Sequence, residues 1–231
     1  MIIPRIYSIH DQAITIEFSQ TIDEQINMQV IAWQHEIESN PFQGFIECVP
    51  AYSSLTIYVN SDCNIDDLKN QLQKKINIIE NKNHFNTSSK DQDAKPIEIP
   101  VCYDSEFGFD LPWLSNALKL SIEEIIQLHS EYIYRVYMIG FIPGFPYMGV
   151  LPAQLETSRK QNPSLKIPAG SIGIAGKQTG IYPAEIPGGW HIIGKTPLTI
   201  FDKSSESICL LKAGDRVKFI PITKKEFDQL Q

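Results

Sequence analysis

Two hydrophobic patterns follow each other in the N-terminal part of the chain. Residues 13–18 (AITIEF) alternate apolar and polar side chains, as a half-buried strand does. Apolar residues then recur at spacings of three and four, which mark one face of a helix: Ile22, Ile26, Val30, Trp33 and Ile37. Thr21 and Glu24 have the spacing of a capping box. The pattern therefore predicts a strand followed by a helix that begins near Thr21.

The same order of strand and helix continues to about residue 100. Two extended runs, residues 45–49 and 54–59, precede a second helical pattern with Asn64 as its cap. With IEIPV (97–101) as a last strand, the order is β-α-β-β-α-β, which is typical of a ferredoxin-like fold. We therefore assign residues 1–101 to a ferredoxin-like α/β domain with an extra strand near residues 2–8.

A polar stretch interrupts this domain at residues 81–95. It contains one aromatic side chain and no aliphatic side chain larger than that of Ala94. A segment with so little apolar surface cannot pack into a core. We predict a long mobile loop here.

Residues 102–231 change from helical to extended patterns. LPWLSNALKL and SIEEIIQLHS predict two short helices, the second with a capping box at Ser121 and Glu124. Beyond Tyr134, short extended runs are separated by Gly and Pro, which is typical of a barrel or sandwich. The fold class predicted for the whole chain is α+β, with an α/β lobe followed by a β-barrel.

Composition and charge exclude several classes of protein. The chain has 231 residues, a hydrophobic content of 42% and a net charge of −7, which argue for a soluble globular protein without general nucleic-acid affinity. No signal peptide and no run of about 20 apolar residues is found, so we expect a cytoplasmic protein that does not contact the membrane. The four cysteines form no C-x-x-C pair, and the acidic residues form no cluster. We predict no metal site.

One string, GWHIIGKT (189–196), matches the pattern of a phosphate-binding loop. Such a loop requires a helix to begin at its Lys-Thr end, because the helix N-terminus holds the phosphates. Pro197 follows instead and pushes Thr196 toward extended geometry. The bulky residues 190–193 also favour a pleated strand. We predict a strand here, continuing through residues 198–201, and no phosphate loop.

Three stretches are rich in Gly, Pro and aromatic residues: 140–149, 167–183 and 186–197. Glycine permits close approach of a ligand, proline fixes the backbone, and aromatic rings form pocket walls. Barrel corners alone could also require these residues. We predict a substrate site formed by Tyr137, Phe141, Pro143, Phe145, Gln178, Thr179, Tyr182, Gly188, Gly189, Trp190 and Lys195.

His129 is a second candidate for chemistry. It lies on the apolar face of its helix near the C-terminus, where an imidazole can bond the last carbonyls. Alternatively, His129 and Arg135 form a catalytic pair of a base and an oxyanion or phosphate clamp. We expect the site to depend on Gln178 and Tyr182 more than on His129.

The stretches RVYMIGFIPGFPYMG, IPAGSIGIAGKQTGIYP and PGGWHIIGKTPL resemble a bacterial family. This family includes the B subunit of ATP-dependent 5-oxoprolinase, allophanate hydrolase subunit 1 and the sporulation-kinase inhibitor KipI. The resemblance implies a cyclophilin-like C-terminal barrel. It also implies a heteromer with 5-oxoprolinase subunits C and A. This sequence departs from the family pattern in two places. Lys195 stands where the family has Arg, and the segment NPSLKIP lacks the Arg that the family has before IPAG.

The resemblance implies a hydrolase subunit that is not active alone. With its partners it would open the lactam of 5-oxo-L-proline to L-glutamate, using ATP with magnesium in the assembled complex and no tightly bound cofactor. Amidase chemistry is not expected, because the Gly/Ser-rich amidase segment is absent. Two alternatives stay open: an inhibitor whose partner is a histidine kinase, and a carboxyltransferase-like module related to urea carboxylase.

Overall fold

The computed structural model describes residues 4–81 and 95–230. They form two compact units, which divide between Ala94 and Lys95. The predicted mobile loop lies almost wholly outside the described residues. The elements of the N-terminal unit are β1 (Arg5–His10), β2 (Ala13–Glu17), α1 (Glu24–Ser39), β3 (Phe45–Pro50), β4 (Ser54–Val59) and α2 (Ile65–Asn81).

The sheet of the N-terminal unit has the order β1-β2-β4-β3, and all neighbouring strands are antiparallel. β2 and β3 are therefore parallel to each other and separated by β4, as in the split β-α-β unit of ferredoxin-like folds. Both helices bury one face in the core of this unit, through Val30, Trp33, Ile37, Leu68, Leu72 and Ile76. The predicted α/β lobe is confirmed.

The start of α1 differs from the prediction. The helix begins at Glu24, and the side chain of Asp23 caps it by accepting a hydrogen bond from Ile26 N at 3.0 Å. The hydroxyl of Thr21 bonds to that of Ser19 instead, at 2.9 Å. The predicted capping box is wrong, because an aspartate closer to the helix provides the cap.

The C-terminal unit contains most of the strands. Its elements are β5 (Ile97–Cys102), α3 (Leu111–Leu118), α4 (Ile122–Glu131), β6 (Ile133–Ile139), β7 (Pro146–Gly149), β8 (Ser164–Ile167), β9 (Ser171–Ala175), β10 (Gln178–Ile181), β11 (Ile186–Gly188), β12 (His191–Lys195), β13 (Arg216–Ile222) and α5 (Lys224–Gln229). The predicted capping box of Ser121 and Glu124 starts α4.

Seven of these strands close into a barrel in the order β10-β7-β6-β13-β5-β12-β9. Its interior is filled by β-branched, aromatic and other apolar side chains, among them Ile99, Val101, Val136, Met148, Ile172, Ile174, Ile181, Ile193, Val217 and Phe219. β8 and β11 pair separately as a two-stranded sheet. The predicted barrel is confirmed.

β5 corrects the predicted domain boundary. We assigned residues 97–101 to the N-terminal lobe, but this strand pairs in parallel with β13 and antiparallel with β12 in the barrel. β1 occupies the sheet edge beside β2 that the predicted closing strand would have taken. The barrel unit therefore begins at Lys95. Residues 198–201 also form no strand, apart from an isolated bridge between Phe201 and Cys209.

Candidate functional site

Aromatic side chains from the predicted stretches meet on the outer face of the barrel. Phe145, Tyr147, Tyr182 and Trp190 pack together there, and we call these four residues the aromatic cluster. The Phe145 ring centroid lies 4.8 Å from that of Tyr147, 5.2 Å from that of Tyr182 and 5.5 Å from that of Trp190. Phe141 lies at the edge of this cluster, 6.0 Å from Phe145, and is 67% exposed.

Glycines on β9 and β10 let these rings lie directly on the strands. A Cβ atom at Gly180 would lie 2.9 Å from Phe145 Cζ, and one at Gly173 would lie 3.1 Å from Trp190 Cβ. Close packing therefore requires glycine at Gly180 and leaves little room for a side chain at Gly173. Burial of Tyr182, which is 2% exposed, raises its pKa to about 12. The rings we predicted as pocket walls thus have one another as packing partners.

Other predicted site residues border this cluster. Gly188 lies on β11 against the ring of Tyr182, and Gly189 follows it in the connection to β12. Pro143 is exposed in the loop before β7. The structure therefore brings most of the predicted substrate-binding residues to one side of the barrel.

His129 and Thr179 lie elsewhere, in the barrel interior, and both are fully buried. The Thr179 hydroxyl donates to Gly173 O at 3.1 Å, so it accepts the hydrogen bond from His129 Nε2 at 2.9 Å. The other ring nitrogen, Nδ1, lies 2.8 Å from the hydroxyl of Tyr103, which donates to it. Burial lowers the pKa of His129 to about 3.

These bonds correct one prediction about the barrel interior. The ring of His129 does not bond the last helix carbonyls, because its two nitrogens bond Tyr103 and Thr179. The predicted catalytic role of His129 and the predicted ligand contact of Thr179 stay predictions. Both side chains hold α4 to the strands β9 and β10.

Arg135 and Gln178 lie on either side of Gly149 in three neighbouring strands. Directly opposite residues of an antiparallel pair point to the same face, so no side chain separates these two. Tyr137 Cε2 lies 3.5 Å from the position that a Cβ at Gly149 would take. These three predicted residues thus surround Gly149, and their predicted roles in binding and catalysis stay predictions.

The string at 189–196 is not a phosphate loop. β12 covers residues 191–195, and no helix begins at Thr196, which is buried and donates its N–H to Gly170 O at 2.9 Å. Lys195 Nζ lies 5.6 Å from the ring centroid of Phe107 and 5.9 Å from that of Phe227. These are cation–π contacts, which occupy the lysine that we predicted to bind substrate.

The structure also assembles a cluster that the sequence did not suggest. It consists of Asp110, Trp113, Lys160 and His191, and we call these four residues the histidine cluster. Asp110 Oδ2 lies 2.6 Å from Lys160 Nζ and accepts a hydrogen bond from the backbone N–H of Ile192 at 2.6 Å. Both charged side chains are mostly buried, at 16% and 14% exposure. This ion pair therefore links the start of α3, the segment before β8 and β12.

His191 is the polar centre of the histidine cluster. Its Nε2 lies 3.0 Å from Ser158 O, which can only accept, so Nε2 carries the hydrogen. Trp113 stacks on the imidazole with 4.4 Å between ring centroids and an interplanar angle of 5°. Nδ1 is buried and has no hydrogen-bond partner within the part of the chain that the structure describes. Buried polar atoms without a partner are rare in proteins.

The electrostatics of this cluster keep the imidazole neutral. Burial lowers the pKa of His191, and the Lys160 ammonium lowers it further. The hydrogen bond to Ser158 O and the Asp110 carboxylate act in the opposite direction without reversing the shift. At neutral pH, His191 therefore presents an unprotonated Nδ1.

Within residues 4–81 and 95–230, no three His, Cys, Asp or Glu side chains come together in a way that could hold a metal ion. In the same residues, no helix has the length and apolar character needed to cross a membrane.

Comparison with known proteins gives concordant matches over nearly the whole chain. A sequence model of the family described as "Carboxyltransferase domain, subdomain C and D" matches residues 4–211. The protein named as the B subunit of 5-oxoprolinase in Bacillus subtilis is 40% identical over 96% of this chain and 95% of its own length. The protein of the same name from Haemophilus influenzae is 39% identical over 93% of this chain and 96% of its own.

A crystal structure of the protein TTHA0988 has the same fold. It superimposes with a TM-score of 0.79 and 32% identity over 91% of this chain. The match spans only 40% of that longer protein.

Proposed function

Because the chain belongs to the family of the carboxyltransferase domain, subdomains C and D, which includes the B subunit of 5-oxoprolinase, we propose that it is one subunit of an ATP-dependent 5-oxoprolinase. With partner subunits C and A, it opens the lactam of 5-oxo-L-proline to give L-glutamate. The observation that carries this proposal is the 40% identity to a protein named as that subunit, over 95% of its length.

The geometry of the barrel unit supports a role shared with partners. The described residues offer no phosphate loop, since residues 191–195 are a strand, and no cluster of metal ligands. We propose that partner subunits supply groups that bind ATP with magnesium.

Reconstitution tests this proposal. The chain is purified alone and together with subunits C and A from the same source, and ADP formation is measured with and without 5-oxoproline. We expect no 5-oxoproline-dependent ATP hydrolysis by the chain alone and robust hydrolysis, with glutamate formation, by the assembled complex. Turnover by the isolated chain would overturn the assignment as a subunit.

Failure of the complete complex to respond to 5-oxoproline would overturn the choice of substrate. Inhibition of a histidine kinase and carboxyl transfer, the two alternatives, both predict activity that does not require 5-oxoproline. The same preparations therefore distinguish the proposed function from both alternatives.

A further inference from the structure

Two neighbouring glycines before β12 differ in the space around them. A Cβ atom at Gly188 would lie 2.8 Å from Ile167 Cδ1 and would collide with the Tyr182 hydroxyl, so packing requires glycine there. A Cβ atom at Gly189 would have no heavy atom of the described residues, apart from its chain neighbours, nearer than 3.8 Å. Gly189 is also not among the glycines with a positive φ. The fold therefore has room for a side chain at Gly189, and the glycine keeps this space open.

The open space is bordered by an arginine. Arg159 Cβ lies 3.9 Å from the Cβ position at Gly189, and Lys160 O and Pro163 Cγ lie 3.8 Å from it. Arg159 is exposed, and it forms no hydrogen bond or ion pair within the part of the chain that the structure describes. The nearby carboxylate of Asp110 is paired with Lys160. Arg159 therefore places a positive charge without a counterion beside the open space.

The backbone on both sides of Arg159 is held in place. Ser158 O accepts a hydrogen bond from His191 Nε2 at 3.0 Å, and the N–H of Lys160 donates to Gly189 O at 2.8 Å. The histidine cluster thus fixes the segment that carries the arginine. A fixed segment lowers the entropic cost of binding a ligand.

Arg159 also lies close to the aromatic cluster. Burial raises the pKa of Tyr147 and of Tyr182, and the Arg159 guanidinium opposes both shifts. A charge acts on a hydroxyl in this way only at short range. Trp190, which follows Gly189 in the chain, has its ring centroid 5.8 Å from that of Tyr147. The cation, the open backbone and apolar walls therefore meet on one side of the barrel, where solvent reaches Arg159.

This arrangement fits a small carboxylate. The planar guanidinium of arginine matches the two oxygens of a carboxylate, and such bonds are among the strongest in proteins. The carboxylate is the one charged group of 5-oxoproline at neutral pH. We propose that Arg159 binds this carboxylate in the space over Gly189. The inference rests on the proposed function and makes Arg159 the residue that selects a lactam with a carboxylate over a lactam without one.

The first test replaces Arg159 by Gln in the reconstituted complex. We expect KM for 5-oxoproline to rise by about 10- to 100-fold, because a hydrogen bond between charged groups is lost. The value of kcat should change much less, since the carboxylate does not react. Arg159→Lys keeps the charge and should recover part of the loss. The matched control is Arg5→Gln, which changes an exposed arginine of β1 and should leave KM unchanged.

A substrate analogue separates carboxylate binding from a structural effect. Pyrrolidin-2-one has the same lactam ring as 5-oxoproline and no carboxylate. Its inhibition constant against 5-oxoproline turnover should be the same in the wild-type and Arg159→Gln complexes. Equal weakening of the analogue and of 5-oxoproline would assign Arg159 a structural role and overturn the inference.

Gly189→Ala tests the open space without removing the charge. The added methyl group occupies the space of the carboxylate, so KM for 5-oxoproline should rise by about tenfold or more. The melting temperature should stay that of the wild type, because the methyl group contacts nothing nearer than 3.8 Å. Gly180→Ala is the comparison for stability, since its Cβ would lie 2.8 Å from Pro146 O and should lower the melting temperature.

An unchanged KM in the Arg159→Gln complex would overturn the inference, provided that the wild-type complex turns over. If Arg159→Gln fails to assemble, an unchanged KM in the Gly189→Ala complex has the same consequence. Absence of turnover in the wild-type complex would instead overturn the proposed function. Calorimetric Kd values of 5-oxoproline for the wild type and both variants would then test the carboxylate site by itself, and equal values, or no binding to the wild type, would overturn it.

Discussion

His129 and His191 are both buried imidazoles, and they differ in the partner of one nitrogen. Both nitrogens of His129 are bonded, to Tyr103 and Thr179, within the barrel interior. Only Nε2 of His191 is bonded, to Ser158 O, and its Nδ1 has no partner in the described residues. The two residues are therefore alike in burial and differ in whether both ring nitrogens have a hydrogen-bond partner.

The stability of the protein should depend on pH through His129. Burial lowers its pKa to about 3, whereas an unfolded chain binds this proton near pH 6.5. Between these values the unfolded state holds the extra proton, so the free energy of unfolding falls as the pH decreases below about 6.5. The loss is up to about 1.4 kcal/mol per pH unit. Urea unfolding of the wild type and of His129→Gln, at pH 7.5 and pH 5, measures it.

We expect His129→Gln to be less stable at pH 7.5 and to lose less stability than the wild type on going to pH 5. The His35→Gln variant, which changes an exposed side chain, should keep the wild-type slope. Equal slopes for His129→Gln and the wild type would contradict the assignment of a neutral buried imidazole.

The contacts of His191 could not be predicted from the sequence, although this residue lies in the string GWHIIGKT (189–196), which matches the pattern of a phosphate-binding loop. Its character comes from Ser158, which lies 33 residues earlier, and from Trp113 and Asp110 on another element. Such contacts depend on how the strands pair. The local pattern predicted only that residues 190–193 form a strand, and the structure confirms a strand at 191–195.

At the scale of elements, the position of a strand in the sequence was easier to predict than the strands with which it pairs. The alternation in IEIPV (97–101) correctly indicated a strand, but it contained no information on which sheet the strand joins. β5 pairs with β13, whose residues are more than a hundred positions away in the sequence. The predicted lobe boundary was wrong for this reason, while the split β-α-β unit, built from consecutive elements, was right.

The end of β12 allows a test of the rejected phosphate loop. Thr196 is buried beside Gly170, its N–H bonds to Gly170 O, and its hydroxyl accepts a weak bond from Leu198 N at 3.3 Å. A threonine in a phosphate loop would instead bind magnesium. In the assembled complex, Thr196→Ala should therefore change KM for ATP by less than about twofold, because the hydroxyl bonds only within the protein and a lost neutral hydrogen bond costs only about 1 kcal/mol of stability.

Loss of ATP-dependent turnover in a folded Thr196→Ala complex would restore the loop interpretation. His35→Gln is the control, since it changes an exposed side chain of α1. It should keep both the stability and KM for ATP of the wild type.

At the scale of the whole molecule, the chain contains two units with separate hydrophobic cores. The core of the N-terminal unit is built from β1 to β4 and both of its helices. Within the described residues, the apolar side chains of the barrel interior come from residues 97–219. Each unit therefore has the buried apolar surface that independent folding requires.

The position of β5 decides where the chain can be divided. A fragment of residues 95–231 retains β5 and thus the complete seven-stranded barrel. A fragment of residues 103–231 begins just past β5, so it exposes the edges of β12 and β13 and loses the buried side chains of Ile99 and Val101. An open barrel edge favours pairing with other chains and aggregation.

We expect cooperative thermal unfolding and a monomeric elution volume for the fragment 95–231. For the fragment 103–231 we expect aggregation or no cooperative transition. Cooperative folding of the shorter fragment would show that β5 is dispensable for the barrel and would contradict this prediction.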